Sequence, residues 1–419
     1  MDSSDITLKK QLQLSLPMGF EQLVNILMTV IDTFVVGLLG ATAIAEVGAM
    51  GTIISVLLIL PNTIFISNNV IIANYIGANN KNAIKSTLGN SIILGLLASI
   101  GLGVITFLIS PNFPKLFNVP NACLTYLYIR LLGFLFLTIG TILSGYERTK
   151  GNAKFMLYLK ITSLIFNLIF DIVVVKLGYG INGVAIITIL IDVFVMLLLL
   201  CRNIKDISLK FKYKVVKNIC YYIKWNTFER LITKIDILIM NLIVANIGTL
   251  EYSVHVLLSQ MVDIYKEFIS GIQNGITINV GKIQGSGKYE LYKKLKETSY
   301  KLQKYFFIFT PLLIIVIAFI ISKLYFKNGT QIKIFYEIMP IIIINVILNV
   351  ISIYYYAYLR GVKDFKFLAN RNLISSVLKI LVAFIFSYYF GVIGVWLSYF
   401  IYSFSQYYMS RKRYNRIKL

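Results

Sequence analysis

Stretches of about 17 to 25 mostly apolar residues, the length that crosses a bilayer core, constrain this chain more than any other feature. They fall at about 14–38, 46–68, 88–109, 122–144, 157–178, 182–201, 223–247, 253–278, 303–323, 333–357, 369–391 and 393–410. Backbone in lipid must satisfy its own hydrogen bonds, so each stretch is expected as a helix. Twelve spans is an even number, which returns both termini to one side of the membrane.

Composition agrees: 58% of the 419 residues are hydrophobic and 14% are charged, whereas a water-soluble domain carries about a quarter charged. The formal charge of +23 invites a nucleic-acid reading, but position decides against it. Of the 41 Lys and Arg, about thirty lie in the even-numbered loops and the tails and about five at the odd-numbered loops, the asymmetry that orients membrane proteins. Lys205, Lys210, Lys212, Lys214 and Lys217 follow the sixth stretch, and Arg411, Lys412, Arg413, Arg416 and Lys418 follow the last. Basic runs of this kind face the cytoplasmic headgroups. The expectation is a multi-pass protein of the inner or plasma membrane with cytoplasmic termini, whose partners are the lipid bilayer and a small molecule, not nucleic acid.

Cys123, Cys201 and Cys220 form no CxxC pair, and there is one histidine, so neither a disulfide framework nor a zinc site is suggested. The opening MDSSDITLKKQLQ has no signal-peptide core or cleavage site, and insertion is expected to be directed by the first span.

The chain repeats itself. GLLGATAIAEVGA (37–49) answers to ANIGTLEYSVHVL (245–257) and ANYIGANNKNA (73–83) to GKIQGSGKYEL (281–291), both at an offset of 208. RTKGNAKF (148–155) answers to RGVKDFKF (360–367) and GYGINGVAI (178–186) to YFGVIGVWL (389–397), at 212 and 211. The fold class expected is therefore an all-α polytopic membrane protein with twelve transmembrane helices in two pseudo-symmetric six-helix lobes. The N-lobe is read at 1–205, a cytoplasmic linker at 206–222 and the C-lobe at 223–419. Six-plus-six parallel repeats build several secondary transporters.

Intramembrane acids mark function by default because a charge at mid-bilayer costs a few kcal/mol. Asp32 and Asp171 lie near the outer ends of spans 1 and 5, and Thr188 near the start of span 6, so all three sit roughly 10 Å beneath the outer surface. Asn167 precedes Asp171 by one turn, and Asp192 follows Thr188 by one. Two carboxylates, an amide oxygen and a hydroxyl suit Na⁺, and close carboxylates equally retain a proton. The repeat places Met240, Lys379, Ala383 and Tyr399 opposite Asp32, Asn167, Asp171 and Thr188: the scaffold is duplicated and the acids are not. The second half has its own polar set, with Glu229, Lys234 and Asp236 on span 7 and His255, Asp263, Lys266 and Glu267 on span 8. The candidate substrate contacts are Asp32, Asp192, Glu229, Asp236 and His255.

LPMGFEQLVNILMTVIDTFVVGLLGATAIAEVGAMG (16–51), YIGANN (75–80), RTKGNAKFMLYLKITSLIFNLIFD (148–171), WNTFERL (225–231), His255 and LRGVKD (359–364) together resemble the multidrug and toxic compound extrusion (MATE) family of the MOP flippase superfamily. The resemblance implies that Asp32, Asn167, Asp171 and Thr188 occupy the family's N-lobe cation site. It implies an antiporter that exports amphipathic, cationic small molecules in exchange for Na⁺ or H⁺ by alternating access, with no cofactor beyond the coupling ion. One branch of the family binds Na⁺ in the C-lobe through acids where this chain has Thr233 and Asn349, so that second site is not expected. The alternative is a lipid-linked oligosaccharide flippase of the same superfamily. It would need a cationic central cavity, for which Lys234 and Lys379 are the candidates, whereas the mid-membrane charges of the first half are read as acids. No enzyme is expected, since no nucleophile–base pair or metal-ligand set has recognisable spacing, and the protein is expected to act as a monomer.

The Lys/Arg asymmetry makes a direct prediction. A reporter fused after Leu419 is expected to be active only in the cytoplasm; periplasmic or extracellular activity contradicts the orientation.

Overall fold

The computed structural model describes residues 6–325 and 329–417; Lys418, part of the expected basic tail, lies outside them. Regular structure among the described residues is helical throughout. The first half contains α1 (Leu8–Gly37), α2 (Ala41–Leu57), α3 (Ile59–Gly77), α4 (Lys81–Ile109), the short α5 (Phe113–Phe117), α6 (Cys123–Lys150), α7 (Ala153–Lys176) and α8 (Gly180–Asn203). The second contains α9 (Tyr213–Ala245), α10 (Thr249–Ser286), α11 (Leu291–Tyr325), α12 (Gly329–Gly361) and α13 (Phe365–Ile417).

Among the described residues, nine helical segments are long and apolar enough to cross a membrane. The expected stretches relate to them in three ways. The stretch 46–68 runs across the α2–α3 junction, where Pro61 lacks an N–H and its ring clashes with the carbonyl four residues back, interrupting the helix near Leu58. The stretches 223–247 and 253–278 fall in α9 and α10, which are helical over 33 and 38 residues but are absent from the nine. Glu229, Arg230, Lys234 and Asp236 crowd the first, and Asp263, Lys266 and Glu267 the second. The stretches 369–391 and 393–410 lie within α13, which is interrupted by the non-helical Gly391 (φ 55°, ψ −139°). Arg371 donates to Ser410 at 2.7 Å, Tyr402 to Asn372 at 2.8 Å and Ser405 to Ser375 at 2.8 Å. These bonds join residues 30 to 39 positions apart, too far to meet along one straight helix, so the chain doubles back at Gly391.

The turns carry the repeat more clearly than the helices do. After α6 the amide of Gly151 donates to the Arg148 carbonyl and that of Asn152 to the Glu147 carbonyl, both at 3.0 Å. After α12 the amide of Lys363 donates to Arg360 at 3.0 Å and that of Asp364 to Leu359 at 2.9 Å. Each helix thus ends in the same left-handed cap that satisfies its last carbonyls, with Gly151 (φ 109°) and Lys363 (φ 68°) at corresponding positions.

Contacts divide the chain into two compact units, Phe20–Lys224 and Met1–Gly19 with Trp225–Leu419. In the latter, Asn279 donates to Gln11 at 2.7 Å. A Cβ on Gly271 would lie 2.4 Å from the Met18 carbonyl oxygen, and one on Gly275 would lie 2.3 Å from the Ser15 hydroxyl. This is the small-residue spacing by which helices approach in lipid. In Phe20–Lys224 the segment following α8 is strapped to α4. Ser208 N donates to the Lys85 carbonyl at 3.2 Å, Asn90 donates to the Lys210 carbonyl at 3.1 Å, and the Lys212 amide donates back to Asn90 at 3.0 Å.

The strap closes over Gly89, where a Cβ would sit 1.9 Å from the Ser208 carbonyl oxygen. Gly89→Ala is expected to cost about 1–3 kcal/mol through forced backbone displacement and to lower the melting temperature. Gly101→Ala, with nothing within 4 Å of the new Cβ, is the control. Equal melting of the two variants would show that the strap is not held as described.

Candidate functional site

The Phe20–Lys224 unit encloses a cavity of about 460 Å³ whose lining includes Asp32 from α1, Arg130 from α6, Lys160 from α7, and Thr188 and Asp192 from α8. The volume lies in the ~300–1,000 Å³ range of small-molecule sites. The positions follow from helical spacing. Thr188 and Asp192 are one turn apart, so both face the space, where Ile191 and Val195 of the same helix flank them.

Asn167 and Asp171, the other expected cation ligands, lie on α7 and are fully buried. They are not part of the cavity lining, but Asp171 is within electrostatic reach of Asp32 and Arg130. Both carboxylate oxygens of Asp171, both polar atoms of the Asn167 amide and one carboxylate oxygen of Asp32 are buried with no hydrogen-bond partner among the described residues. Thr188 donates its hydroxyl hydrogen to the Val184 carbonyl at 2.9 Å, which leaves the oxygen lone pairs able to accept or ligate. Chemically, the carboxylate and amide oxygens are acceptors that a hard cation or a proton satisfies, and the Asn167 Nδ2 is the donor beside them, one turn from Asp171.

The remaining candidates belong to the other unit and already have partners there. Glu229 receives Arg360 at 3.1 Å and the Tyr356 hydroxyl at 3.0 Å, although Arg230 is its neighbour in sequence. Asp236 is ion-paired with Lys379, whose ammonium also lies 4.2 Å from the centre of the Tyr399 ring and 5.0 Å from that of Tyr402. His255 Nε2 lies 3.2 Å from Asn241 Oδ1, and its ring centre is 5.5 Å from that of Trp396. A cavity of about 30 Å³, about the volume of one water, opens beside Lys266, Tyr399 and Tyr402.

The Glu229–Arg360 pair has a counterpart in the first half. Glu21 receives Arg148 through two hydrogen bonds of 2.9 and 2.6 Å. Glu21 and Arg148 stand 208 and 212 positions before Glu229 and Arg360, the offsets of the repeat. Glu229 is thus paired and repeated in the sequence, as Glu21 is.

Arg130 and Lys160 add two cations to a first half whose mid-membrane charges are expected to be acids. The structure corrects this: acids and bases line one cavity. The signal was available, since Arg130 falls inside the stretch 122–144 and Lys160 inside 157–178, but a long basic side chain in a span ordinarily snorkels to the interface.

The comparisons with known proteins agree with this architecture. Residues 17–173 and 227–385 match the MatE family profile. A Thermotoga maritima protein named Probable multidrug resistance protein NorM is 26% identical over 193 residues, which cover 43% of this chain and 41% of that relative; the match thus spans about two-fifths of the relative's length. A crystal structure of MATE in complex with MaD3S superposes with a TM-score of 0.87 at 19% identity, covering 98% of this chain and 97% of that one. A crystal structure of a point mutant of the Vibrio cholerae MATE transporter VcmN gives 0.86 at 16% identity, over 99% and 98%. A MOP superfamily transporter from Pyrococcus furiosus, described as having a binding pocket of reverse polarity, gives 0.85 at 19% identity, over 98% and 97%. At these identities the structural likenesses show the fold, and the family profile, which covers most of the chain, shows the lineage: this protein belongs to the MatE family of multidrug and toxic compound extrusion transporters.

Proposed function

We propose that the protein is a secondary antiporter that expels amphipathic, cationic small molecules in exchange for Na⁺ or H⁺. The observation that carries the reading is the set of partnerless buried atoms on Asp32, Asn167 and Asp171 next to a cavity of about 460 Å³ that Asp32 also lines. A coupling ion held by Asp32 and Asp171 removes negative charge from the wall of the substrate cavity. Cation and cationic substrate therefore compete through a shared carboxylate, and each weakens the other by the same free energy. Alternating access by twelve spans in two six-span lobes, with both termini cytoplasmic, in a monomer of the plasma membrane, completes the proposal; the doubled-back α13 and the duplicated turns support it. A flippase for a pyrophosphate-linked lipid would be served by a cavity of one sign, and the mixture of acids and bases here does not favour it.

Asp32→Asn and Asp171→Asn are each expected to abolish dye efflux from inverted vesicles driven by a Na⁺ or pH gradient. Expression should hold, and melting should stay level or rise, because an amide in place of a buried unpaired carboxylate relieves desolvation. Full gradient-driven transport by both variants would remove the cation-site assignment.

A further inference from the structure

The second half holds buried polar groups that neither its ion pairs nor the coupling proposed above use. They line the cavity of about 30 Å³, which is bounded by α10, α12 and α13. Trp396 is 1% exposed, Tyr265 2% and Asn345 8%. Among the described residues nothing accepts from the Trp396 Nε1 or the Tyr265 hydroxyl, and neither polar atom of the Asn345 amide has a partner. Other polar groups of the lining are occupied: Asn349 donates to the Asn345 carbonyl at 2.7 Å, and Tyr402 donates to Asn372 at 2.8 Å. The lining carries one charge, Lys266, and no carboxylate among the described residues. The Lys266 ammonium lies 5.9 Å from the centre of the Tyr399 ring and closes no ion pair among those residues, whereas Lys379, over the same ring, is met by Asp236. Asp263, one turn before Lys266 on α10, is exposed and outside the lining.

We propose that this cavity binds a monoatomic anion, chloride in practice, held by Trp396, Asn345 and Tyr265 and compensated by Lys266. The inference goes beyond the antiport reading and shares no residue with the Asp32 and Asp171 site. Three buried donors open on one small space: an indole N–H only donates, the Asn345 amide can present its Nδ2, and a hydroxyl hydrogen turns to whatever accepts it. A water offers two lone pairs, so one of three donors stays unmet, and a buried donor left unmet is costly. A halide accepts from every side and also meets the charge of Lys266, which lipid does not. A hard cation seeks carboxylate oxygens, which the lining lacks, and the ammonium repels it. A carboxylate or phosphate group needs more room than about one water's volume. The anion thereby joins α10, through Tyr265 and Lys266, to Asn345 of α12 and Trp396 of α13 at a single centre.

The test uses the full-length protein in detergent, melted while sodium chloride or sodium bromide replaces sodium gluconate at constant ionic strength. The halides fit the space and gluconate does not, so the melting temperature should rise with either halide, because a ligand of the folded state stabilises it by mass action. That dependence gives a chloride Kd. Trp396→Phe keeps an aromatic ring and removes the donor, and should weaken chloride about ten-fold, the change expected from losing one charge-assisted hydrogen bond. Lys266→Gln should weaken it a few-fold, and Lys412→Gln, a change at an exposed tail cation, should leave it unaltered. Melting of each variant in gluconate reports its folding separately from its response to chloride. Crystals grown in bromide give a second readout, an anomalous peak in contact with the Trp396 Nε1. Transport enters none of these measurements, so their outcome is distinguishable from failure of the antiport reading. Equal melting of the wild type in chloride and gluconate overturns the proposal, as does an equal chloride response in Trp396→Phe, or bromide found at exposed lysines only.

Discussion

A charge inside a membrane has to be met by the protein itself, and most buried charges of this chain are met by a cation from another helix. Glu21 with Arg148 and Glu229 with Arg360 are the same pair made twice, once in each half of the sequence, at positions related by the repeat. In both, the arginine follows from the last turn of a helix that ends in a left-handed cap. Helix termination, charge neutralisation and internal symmetry are thus one construction. Against that background, Asp32 and Asp171 stand out: the repeat puts Met240 and Ala383 at their positions, and neither closes an ion pair among the described residues, whereas Glu21, Glu229 and Asp236 each do. What the scaffold leaves unmet is where a coupling ion has reason to bind.

The helices of the first half and α11 to α13 were legible in the sequence as apolar spans because apolar length is nearly all that lipid demands of a helix, whereas the charge-crowded α9 and α10 are helical without meeting that measure. What was not legible is what depends on neighbours. Pro61 breaks one expected span into two helices, and Gly391 lets α13 double back without a polar loop, so helix ends and span ends do not coincide. Glu229 illustrates the limit at the site. Arg230 is adjacent in sequence but points about 100° away around the helix, and the partner that reaches Glu229 comes from α12. Lys379, seen in the sequence as an isolated intramembrane cation, is the counter-ion of Asp236. Pairings of that kind are tertiary facts.

The polar segment after α8 shows the same distinction. Its basic residues read as a linker, and its backbone docks on α4 through Asn90 and over Gly89. The glycine gave no signal in the sequence because glycines are frequent in membrane helices for many reasons. Its role becomes visible only with the carbonyl of Ser208 beside it.

The central claim is that Asp32 serves the ion site and the substrate cavity at once, so that binding at one is felt at the other. The most direct measurement is the affinity of a cationic dye for the purified protein, taken from zero to high Na⁺ and across about pH 5 to 8. Reciprocal linkage requires that affinity fall as Na⁺ rises or as pH drops, and that Asp32→Asn remove most of the dependence. A dye affinity in the wild type that stays flat over both ranges would contradict the account.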